Sequence, residues 1–436
     1  MKSQWFAVAL RSALLGIMLT GSACAGWWDD RWEARLPITV EQRPGVLATR
    51  PVVVGWGDVA GELSGAKARL SSLRLVDSAN RIVPFQVDHC DGNGDFLPPG
   101  DLELDPQDEL VFVCPTDQQT MLHLYFSAGP RPPAEFPGGV EVYTPRFARG
   151  WAHHILSTAG MKVTVQGEGM LDQSTNHWTS YHRGTVASLS WRGTRLTSNV
   201  NWSIAMNRSP FGGPWDNTSR WQRVKLVVNG PVRKVVAMQK DDYRSKDKDG
   251  NVIMQAHVTR YFSMFAGVPL YDVEDVARCS VVPPDWSATY TDKFLPGGKR
   301  DEDDVLWDGS SGEPRTFPLA ERKGEKNGHL VTTDSVVDGW YAWIDQEKKA
   351  GLAIFYEPAK ALGIPADVAF ESGWEMWSNS NQMKFTYEGL KAPTTFRNHF
   401  RVIGIEAVTP QQVVHEYGLW QGQSACLVTV GPVERK

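Results

Sequence analysis

The segment from Trp221 to Val276 constrains the fold of this chain most strongly. Two runs rich in valine and other strand-forming residues flank the pair Asn229-Gly230. An Asn-Gly pair between two such runs is typical of a two-residue β-hairpin, because both central residues of a type I′ turn need positive φ. A third strand-like run follows a charged loop and ends at Tyr261. The sequence therefore predicts three consecutive antiparallel strands.

The third of these strands carries two different faces. Successive side chains of a strand point to opposite sides of its sheet. One side then presents apolar residues, and the other presents polar ones, which are Gln255, His257, Thr259 and Tyr261. We predict that the apolar face packs and that the polar face lines a concave groove.

The rest of the chain extends this strand pattern into two units. Short strand-like runs at turn-punctuated spacing fill residues 26–128 and indicate a small N-terminal β-sandwich. Residues 129–139 are rich in Pro and Gly and form the predicted linker. Longer strands fill residues 140–436, where the best helix signal is Pro410 preceded by Thr409 as cap. We expect an all-β protein, with the small sandwich followed by a large antiparallel β-supersandwich.

Residues 1–25 have the pattern of a signal peptide. Basic residues precede an apolar run, and the run ends in Ala23-Cys24-Ala25, which fits an A-x-A cleavage site. A lipoprotein anchor at Cys24 is the alternative, but Gly21 stands where an aliphatic residue is expected. No later run has the roughly 20 apolar residues that cross a bilayer. We expect a periplasmic or secreted protein without a transmembrane segment.

Composition narrows the class of partner. The 45 basic and 50 acidic residues give a formal net charge of -5 without a long basic block, which argues against nucleic acid or an anionic membrane as partner. The 18 tryptophans are notable, because an indole ring stacks on the face of a sugar. Burial in the core is the alternative for each of them. The oligomeric state stays open.

Four cysteines remain after removal of the signal peptide. An even number in an oxidising compartment is consistent with two disulfides, and four cysteines allow three connectivities. Cys90 and Cys114 flank one polar loop, and we expect them to pair, which leaves Cys279 to pair with Cys426. Their spacing does not fit a structural zinc site.

An acidic loop in the N-terminal unit offers oxygen ligands at alternate positions. Asp91, Asn93 and Asp95 carry the side chains that a hard cation such as calcium takes. The loop departs from the helix-loop-helix calcium pattern, since Phe96 stands where the turn glycine belongs. A structural calcium ion is one interpretation, and a solvated turn between two strands is the other.

Two further clusters carry groups suited to saccharide chemistry. His177, Tyr181 and His182 can supply a general base and a general acid, although a polar surface turn explains them equally. Arg208 and Trp215 sit at a loop, where a guanidinium matches a carboxylate and an indole matches a sugar face. The alternative is a hairpin loop whose Trp packs on the sheet.

A third group lies late in the chain. Trp374 and Trp377 are aromatic flanks with asparagines nearby, and His399 stands between two arginines. We list these three as candidate substrate-binding residues. The sequence has no G-x-S-x-G elbow, phosphate loop, dinucleotide fingerprint or H-E-x-x-H motif, so serine hydrolase, kinase, dehydrogenase and zincin activities have no support.

Two short motifs resemble the galactose-mutarotase-like β-supersandwich family. They are Gly230-Pro-Val-Arg233, which leads a strand, and Ala266-Gly-Val-Pro269, which follows the next. Bacterial polysaccharide lyases and rhamnogalacturonan-lyase-like exported proteins use this sandwich. The resemblance therefore implies a carbohydrate-active protein, with a lyase acting by β-elimination on an acidic, uronate-containing glycan as the favoured activity.

A lyase removes a proton α to a carboxylate, which needs a cation to neutralise the carboxylate and a base near the proton. No cofactor is required for this chemistry. Arg208 or Arg260 could neutralise the carboxylate. His182 or His257 could act as the base. Tyr181 or Tyr261 could protonate the leaving oxygen. A non-catalytic glycan-binding or surface-assembly protein is the alternative, as is a glycoside hydrolase, which needs two carboxylates at a suitable separation.

Overall fold

The structure is a computed structural model. It describes residues 27–63, 68–98, 104–145, 153–166, 186–206, 223–246, 249–281, 287–296, 304–308, 314–318, 330–332, 340–345, 349–356, 369–377, 380–388, 394–406, 408–421 and 426–436. The predicted signal peptide lies outside these residues. Within them, strands dominate and the predicted all-β class is confirmed.

The N-terminal unit is a sandwich of two antiparallel sheets. Its elements are β1 (Ala34–Gln42), β2 (Thr49–Gly55), α1 (Trp56–Glu62), a 3-10 turn (Leu70–Ser72), β3 (Arg74–Asp77), β4 (Phe85–Asp88), β5 (Glu109–Pro115) and β6 (Gln119–Phe126). Sheet B has the order β2-β5-β4. Sheet A contains β1, β6 and β3, and it also contains the last two strands of the chain, β25 (Cys426–Val430) and β26 (Glu434–Arg435), both paired with β1.

The alternation of side chains between the two faces of each strand explains why these two sheets pack. Leu36, Ile38 and Val40 of β1 are fully buried and face the core, where they meet Phe112 of sheet B. The period of two places every second side chain on the same face. Because β25 and β26 complete this sheet, the C-terminal residues belong to the N-terminal sandwich, whereas the predicted division assigned all of 140–436 to the large unit.

Two large antiparallel sheets form the rest of the described chain. The strands up to residue 296 are β7 (Glu141–Tyr143), β8 (His153–Thr158), β9 (Met161–Gln166), β10 (Val186–Trp191), β11 (Thr194–Met206), β12 (Arg223–Asn229), β13 (Arg233–Lys246), β14 (Val252–Phe265), β15 (Leu270–Val281) and β16 (Ser287–Pro296). Those that follow are β17 (Asp304–Asp308), β18 (Pro314–Pro318), β19 (Leu330–Thr332), β20 (Trp340–Asp345), β21 (Ala350–Tyr356), β22 (Ala369–Trp377), β23 (Ser380–Glu388) and β24 (Thr394–Glu406).

The order of the strands defines both sheets within the described residues. Sheet C runs β19-β22-β23-β16-β11-β10-β9-β8-β7, and sheet D runs β12-β13-β14-β15-β24-β21-β20-β17-β18. The two meet at Trp191, whose indole nitrogen donates to the Ile405 carbonyl at 3.1 Å. A side chain on Gly404 would overlap this indole ring, so glycine is required for the close approach.

The predicted hairpin is present, but its turn differs from the prediction. β12 pairs with β13, and the pairing closes at Asn229 opposite Lys234. Gly230 does not have positive φ, so the turn is not type I′. Glycine is favoured here for another reason. A Cβ atom at Gly230 would overlap the carboxamide of Gln86 in the N-terminal sandwich, and this side chain would have to move away from the Val232 and Arg233 N–H groups that it binds.

The polar face of β14 is not an open groove, contrary to prediction. Thr259 has no exposed surface and Tyr261 is 2% exposed. Tyr261 packs with Val235, Val276 and the partly buried Phe96 of the N-terminal sandwich. The N-terminal sandwich therefore covers the part of this face around Tyr261.

Helix α2 (Pro410–Gln421) packs on another part of the same face of sheet D, where Val413 and Tyr417 meet Phe355 and Ile403. Thr409 caps it as predicted, since the Gln412 backbone N–H donates to Thr409 Oγ1 and the Thr409 N–H donates to Gln412 Oε1. Glu416 is buried and binds Arg50 of β2 at 2.6 Å. This ion pair ties the helix to the N-terminal sandwich. Among the described residues, no helix is long and apolar enough to cross a bilayer.

Both predicted disulfides are absent, since all four cysteines are free thiols. The β4–β5 pairing runs from Phe85 opposite Phe112 to Asp88 opposite Glu109, so Cys90 lies two residues beyond one end and Cys114 two residues beyond the other. The two Cα atoms are then more than about 17 Å apart, whereas a disulfide needs about 4.4–6.8 Å. Cys279 pairs with Thr394 in sheet D, and Cys426 pairs with Gln42 in sheet A.

Candidate functional site

Arg233 anchors the hairpin tip to the N-terminal sandwich. Its side chain is buried and binds both Asp88, at 2.6 Å from Nε, and Glu109. Gln86 Oε1 accepts hydrogen bonds from the backbone N–H groups of Val232 and Arg233 at 2.7 and 2.6 Å. Burial lowers the pKa of Arg233, but the two carboxylates outweigh this and raise it above its ordinary value. The motif Gly230-Pro-Val-Arg233 thus makes an interdomain contact.

The acidic loop docks on the same sheet. Asp91 Oδ1 accepts hydrogen bonds from the backbone N–H groups of Asn93 and Asp95, at 2.8 and 2.9 Å. Asp95 binds Arg278 at 2.7 Å and accepts a hydrogen bond from Tyr261. In the described part of the chain, no three His, Cys, Asp or Glu residues are grouped to hold a metal ion. The loop for which we considered a structural calcium ion contacts sheet D through Asp95, and we call it the docking loop.

Tyr261 and Arg260, predicted for catalysis and binding, are both engaged inside the protein. The Tyr261 hydroxyl donates to Asp95 Oδ1 at 2.7 Å. Burial raises the pKa of this hydroxyl, and the hydrogen bond to Asp95 raises it further. Arg260 is 1% exposed, and its guanidinium donates from Nε and Nη2 to the two carboxylate oxygens of Asp275 at 2.6 and 2.8 Å. Neither side chain faces a surface that a polysaccharide can reach.

His257 lies on the same face of β14 as Tyr261, near the margin of the docked area. It is half-buried, and its Nε2 lies 3.2 Å from Thr259 Oγ1. Arg278 is its register partner on β15. Because Arg278 binds the docking loop, His257 lies beside an interdomain contact.

A row of charged side chains lies between the docking loop and helix α2. We call it the charged stripe: Asp272 and Glu274 of β15 with Arg397, His399 and Arg401 of β24. Register pairs Asp272 with Arg401 and Glu274 with His399. Residues two apart share a face and lie about 7 Å apart, so all five side chains project to one side. The side chain of Glu274 is 31% exposed and that of Arg397 is 35% exposed, so solutes reach the stripe.

His399 lies at the centre of the charged stripe. Its side chain is 22% exposed and Nε2 is 3.9 Å from Asp272 Oδ2. Trp420 of α2 meets the imidazole edge-on, with ring centroids 5.5 Å apart. The guanidinium of Arg401 lies 5.9 Å from the centroid of the same indole. A partly exposed imidazole with a carboxylate on one side and an indole on the other is a candidate acid-base site.

The charge of Asp272 is fixed by its neighbour. Arg401 makes a bidentate ion pair with this carboxylate, donating from Nε to Oδ1 at 2.6 Å and from Nη2 to Oδ2 at 2.7 Å. Burial would raise the pKa of Asp272, but the charge and the hydrogen bonds of Arg401 outweigh it and hold that pKa below 3.8. Asp272 is therefore ionised at neutral pH and can stabilise a protonated His399.

The other predicted site residues are described only in part or not at all. Trp374 and Trp377 lie in β22, opposite Met383 and Ser380, and their side chains are outside the described structure. The remaining predicted residues, His177, Tyr181, His182, Arg208 and Trp215, lie outside the described residues.

His399 is the predicted residue that the structure places in the charged stripe, and its neighbours were not predicted as site residues. The alternation Arg397, His399, Arg401 is visible in the sequence, as is Asp272 two residues before Glu274. Period-two spacing was the signal for both strands. Trp420 is brought to His399 by the packing of α2, and local sequence carries no sign of that contact.

Comparison with known proteins identifies no family. No family model and no curated protein matches the chain. Among solved structures, a glycosyl hydrolase family 38 protein from Enterococcus faecalis has 8% identity and a TM-score of 0.48 over 91% of this chain and 47% of that one. The chain thus spans about half the length of that protein.

Two other structures match a smaller part of the chain. A galactose 1-epimerase from Lactobacillus acidophilus has 10% identity and a TM-score of 0.34, over 62% of this chain and 98% of that one. A heparan sulfate lyase mutant from Pedobacter heparinus has 10% identity and a TM-score of 0.30, over 64% and 38%. None of these matches assigns an activity to this chain.

Proposed function

We propose that this protein is an exported lyase that cleaves a uronate-containing glycan by β-elimination, with His399 as the base. The observation that supports it most is the position of His399. It is partly exposed on one face of β24, between Arg397 and Arg401. Elimination needs a base and a nearby cation, and this strand presents both within about 7 Å.

Each group of the charged stripe has a role in the proposed reaction. Arg397 or Arg401 binds the uronate carboxylate, and neutralising that charge makes the α proton more acidic. His399 takes the proton, a C=C bond forms, and the glycosidic C–O bond breaks. The leaving oxygen takes a proton from water. Asp272, 3.9 Å from His399, stabilises the imidazolium, and Trp420 offers its indole to a sugar face.

One observation favours a second function, a glycan-binding protein without catalysis. Arg401 is already forked by Asp272, and Arg397 already binds Glu274 and the Asn93 carbonyl. A substrate carboxylate must compete with these partners. In a binding protein the arginines and Trp420 hold the glycan, and His399 takes no proton.

A glycoside hydrolase fits the stripe less well. Asp272 and Glu274 share a face, at a separation that an inverting hydrolase uses. However, such an enzyme needs one carboxyl group with a raised pKa as general acid, and Arg401 lowers the pKa of Asp272. Glu274 is already engaged in an ion pair with Arg397.

The test is elimination activity on a panel of acidic glycans. The unsaturated uronate product absorbs in the ultraviolet, so turnover is followed directly. We expect activity on at least one glycan, loss of at least 100-fold in His399→Ala, and unchanged activity in His415→Ala, which alters an exposed histidine of α2. Binding without absorbance change across the panel would replace the lyase by the binding protein.

A further inference from the structure

The two sheets of the N-terminal sandwich bring together two cysteines that are far apart in sequence. Cys114 lies near the end of β5 in sheet B, and Cys426 begins β25 in sheet A. Cys114 is 2% exposed within the sandwich core, and Cys426 packs against that same core. Both side chains therefore point inward from opposite sheets.

The neighbouring residues place both thiols at the same end of the sandwich. Arg50 is the register partner of Cys114, and Gln42 is the register partner of Cys426. Arg50 Nη1 donates to the Arg43 carbonyl at 2.6 Å, and Arg43 directly follows Gln42. This hydrogen bond joins β2 to the end of β1, which are the strands paired with the two cysteine-bearing strands.

Electrostatic effects support this proximity. Burial, followed by the neighbouring Cys426 thiol, raises the pKa of Cys114 to about 12. Burial also raises the pKa of Cys426, and the nearby Arg50 charge opposes that rise. Cys426 therefore lies within electrostatic range of both Cys114 and Arg50.

We propose that Cys114 and Cys426 are the site of an inter-sheet disulfide that forms when the protein meets a disulfide oxidant. The Cys426 thiol is half-buried on the outermost described strand of sheet A and is the one that the oxidant reaches. Its thiolate attacks the oxidant disulfide, and the Cys114 thiolate then displaces the oxidant from the mixed disulfide. The two cysteine thiols lose two electrons and two protons, and the oxidant is reduced to two thiols.

The disulfide would link β25 covalently to β5 of the N-terminal sandwich. β25 pairs with β1, yet residues 43–425 separate them along the chain. Closing so long a loop restricts the unfolded chain strongly, so the disulfide should stabilise the sandwich. Cys90 and Cys279, buried elsewhere, have no part in it.

The test uses the full chain treated with oxidised glutathione, with thiols alkylated before proteolysis and mass spectrometry. We expect a cross-linked peptide pair containing Cys114 and Cys426, with Cys90 and Cys279 alkylated after unfolding. Oxidation should raise the Tm of the wild type and of Cys279→Ser, and leave the Tm of Cys426→Ser unchanged. Alkylation of both Cys114 and Cys426 after oxidation, or a link that joins either of them to another cysteine, overturns the proposal; the wild-type mapping decides this even where a variant folds poorly.

Discussion

Asp95 and Tyr261 join the N-terminal sandwich to sheet D through a hydrogen bond of 2.7 Å from the Tyr261 hydroxyl to Asp95 Oδ1. Phe96 packs edge-on against the same tyrosine ring at 5.1 Å. A tyrosine that we predicted for catalysis therefore holds the acidic loop of the N-terminal sandwich on sheet D.

Tyr261→Phe should lower the free energy of unfolding by about 1.5–3 kcal/mol, the range for a hydrogen bond to a charged group. The ring and its contact with Phe96 are kept, so the loss reports the hydroxyl alone. Chemical denaturation measures it. Tyr143→Phe is the matched control, because Tyr143 is 66% exposed, and an equal effect in both variants would contradict the docking role.

Arg233→Met should destabilise the protein by about 3–5 kcal/mol, because it leaves the buried Asp88 and the neighbouring Glu109 without their cation. Arg435→Met, at an exposed position of β26, should change stability by less than about 0.5 kcal/mol. Thermal unfolding of both variants distinguishes the sites. A tolerated Arg233→Met would mean that the hairpin tip does not depend on this ion pair.

Gly230→Ala should destabilise by about 1–3 kcal/mol, because the new methyl group overlaps Gln86 and overpacking has that typical cost. Gly61→Ala is the matched comparison. Nothing lies within 4 Å of a Cβ at Gly61, and alanine in helix α1 should stabilise by about 0.5–1 kcal/mol. Opposite signs in urea unfolding are expected, and a neutral Gly230→Ala would mean that the turn does not contact Gln86.

The free energy of unfolding should fall at acidic pH, in part because Asp272 becomes protonated. Its pKa in the folded protein lies below 3.8, its ordinary value in the unfolded chain, because Arg401 outweighs the effect of burial. The stabilisation that ionised Asp272 gives to the folded protein is therefore fully present at a pH above its pKa in the unfolded chain. It is lost as the pH falls through its pKa in the folded protein. Asp272→Asn should weaken the fall in stability below about pH 4, as measured by unfolding at pH 3–6. Asp117→Asn, at an exposed position, should leave the fall unchanged.

Local sequence was sufficient to predict many of the strands and the start of the helix. It was not sufficient to predict which distant segments pair with them or cover them. Alternation and turn residues predicted the small sandwich strands, the β12–β13 hairpin and the capped start of α2, since these depend on neighbouring residues. The return of β25 to β1 depends on pairing between distant segments. So does the cover over Tyr261, because a polar side chain in a strand has the same pattern whether solvent or another domain faces it.

The site illustrates the same limit. Arg397, His399 and Arg401 alternate in the sequence, and that spacing places them on one face. The polar residues of β14 alternate just as clearly, but the acidic loop covers them. Sequence periodicity was used to predict only the face of β14, although β24 has the same period. Tertiary packing separates the face that meets solvent from the one that binds a domain.

The paired measurement of His399→Ala and Tyr261→Phe tests the central claim most directly. Elimination rate on an acidic glycan and free energy of unfolding are determined for both variants. We predict that His399→Ala loses at least 100-fold in rate with a small change in stability, and that Tyr261→Phe keeps its rate and loses about 1.5–3 kcal/mol of stability. Loss of rate at unchanged stability in Tyr261→Phe, with full activity in His399→Ala, would contradict the account and return the site to β14.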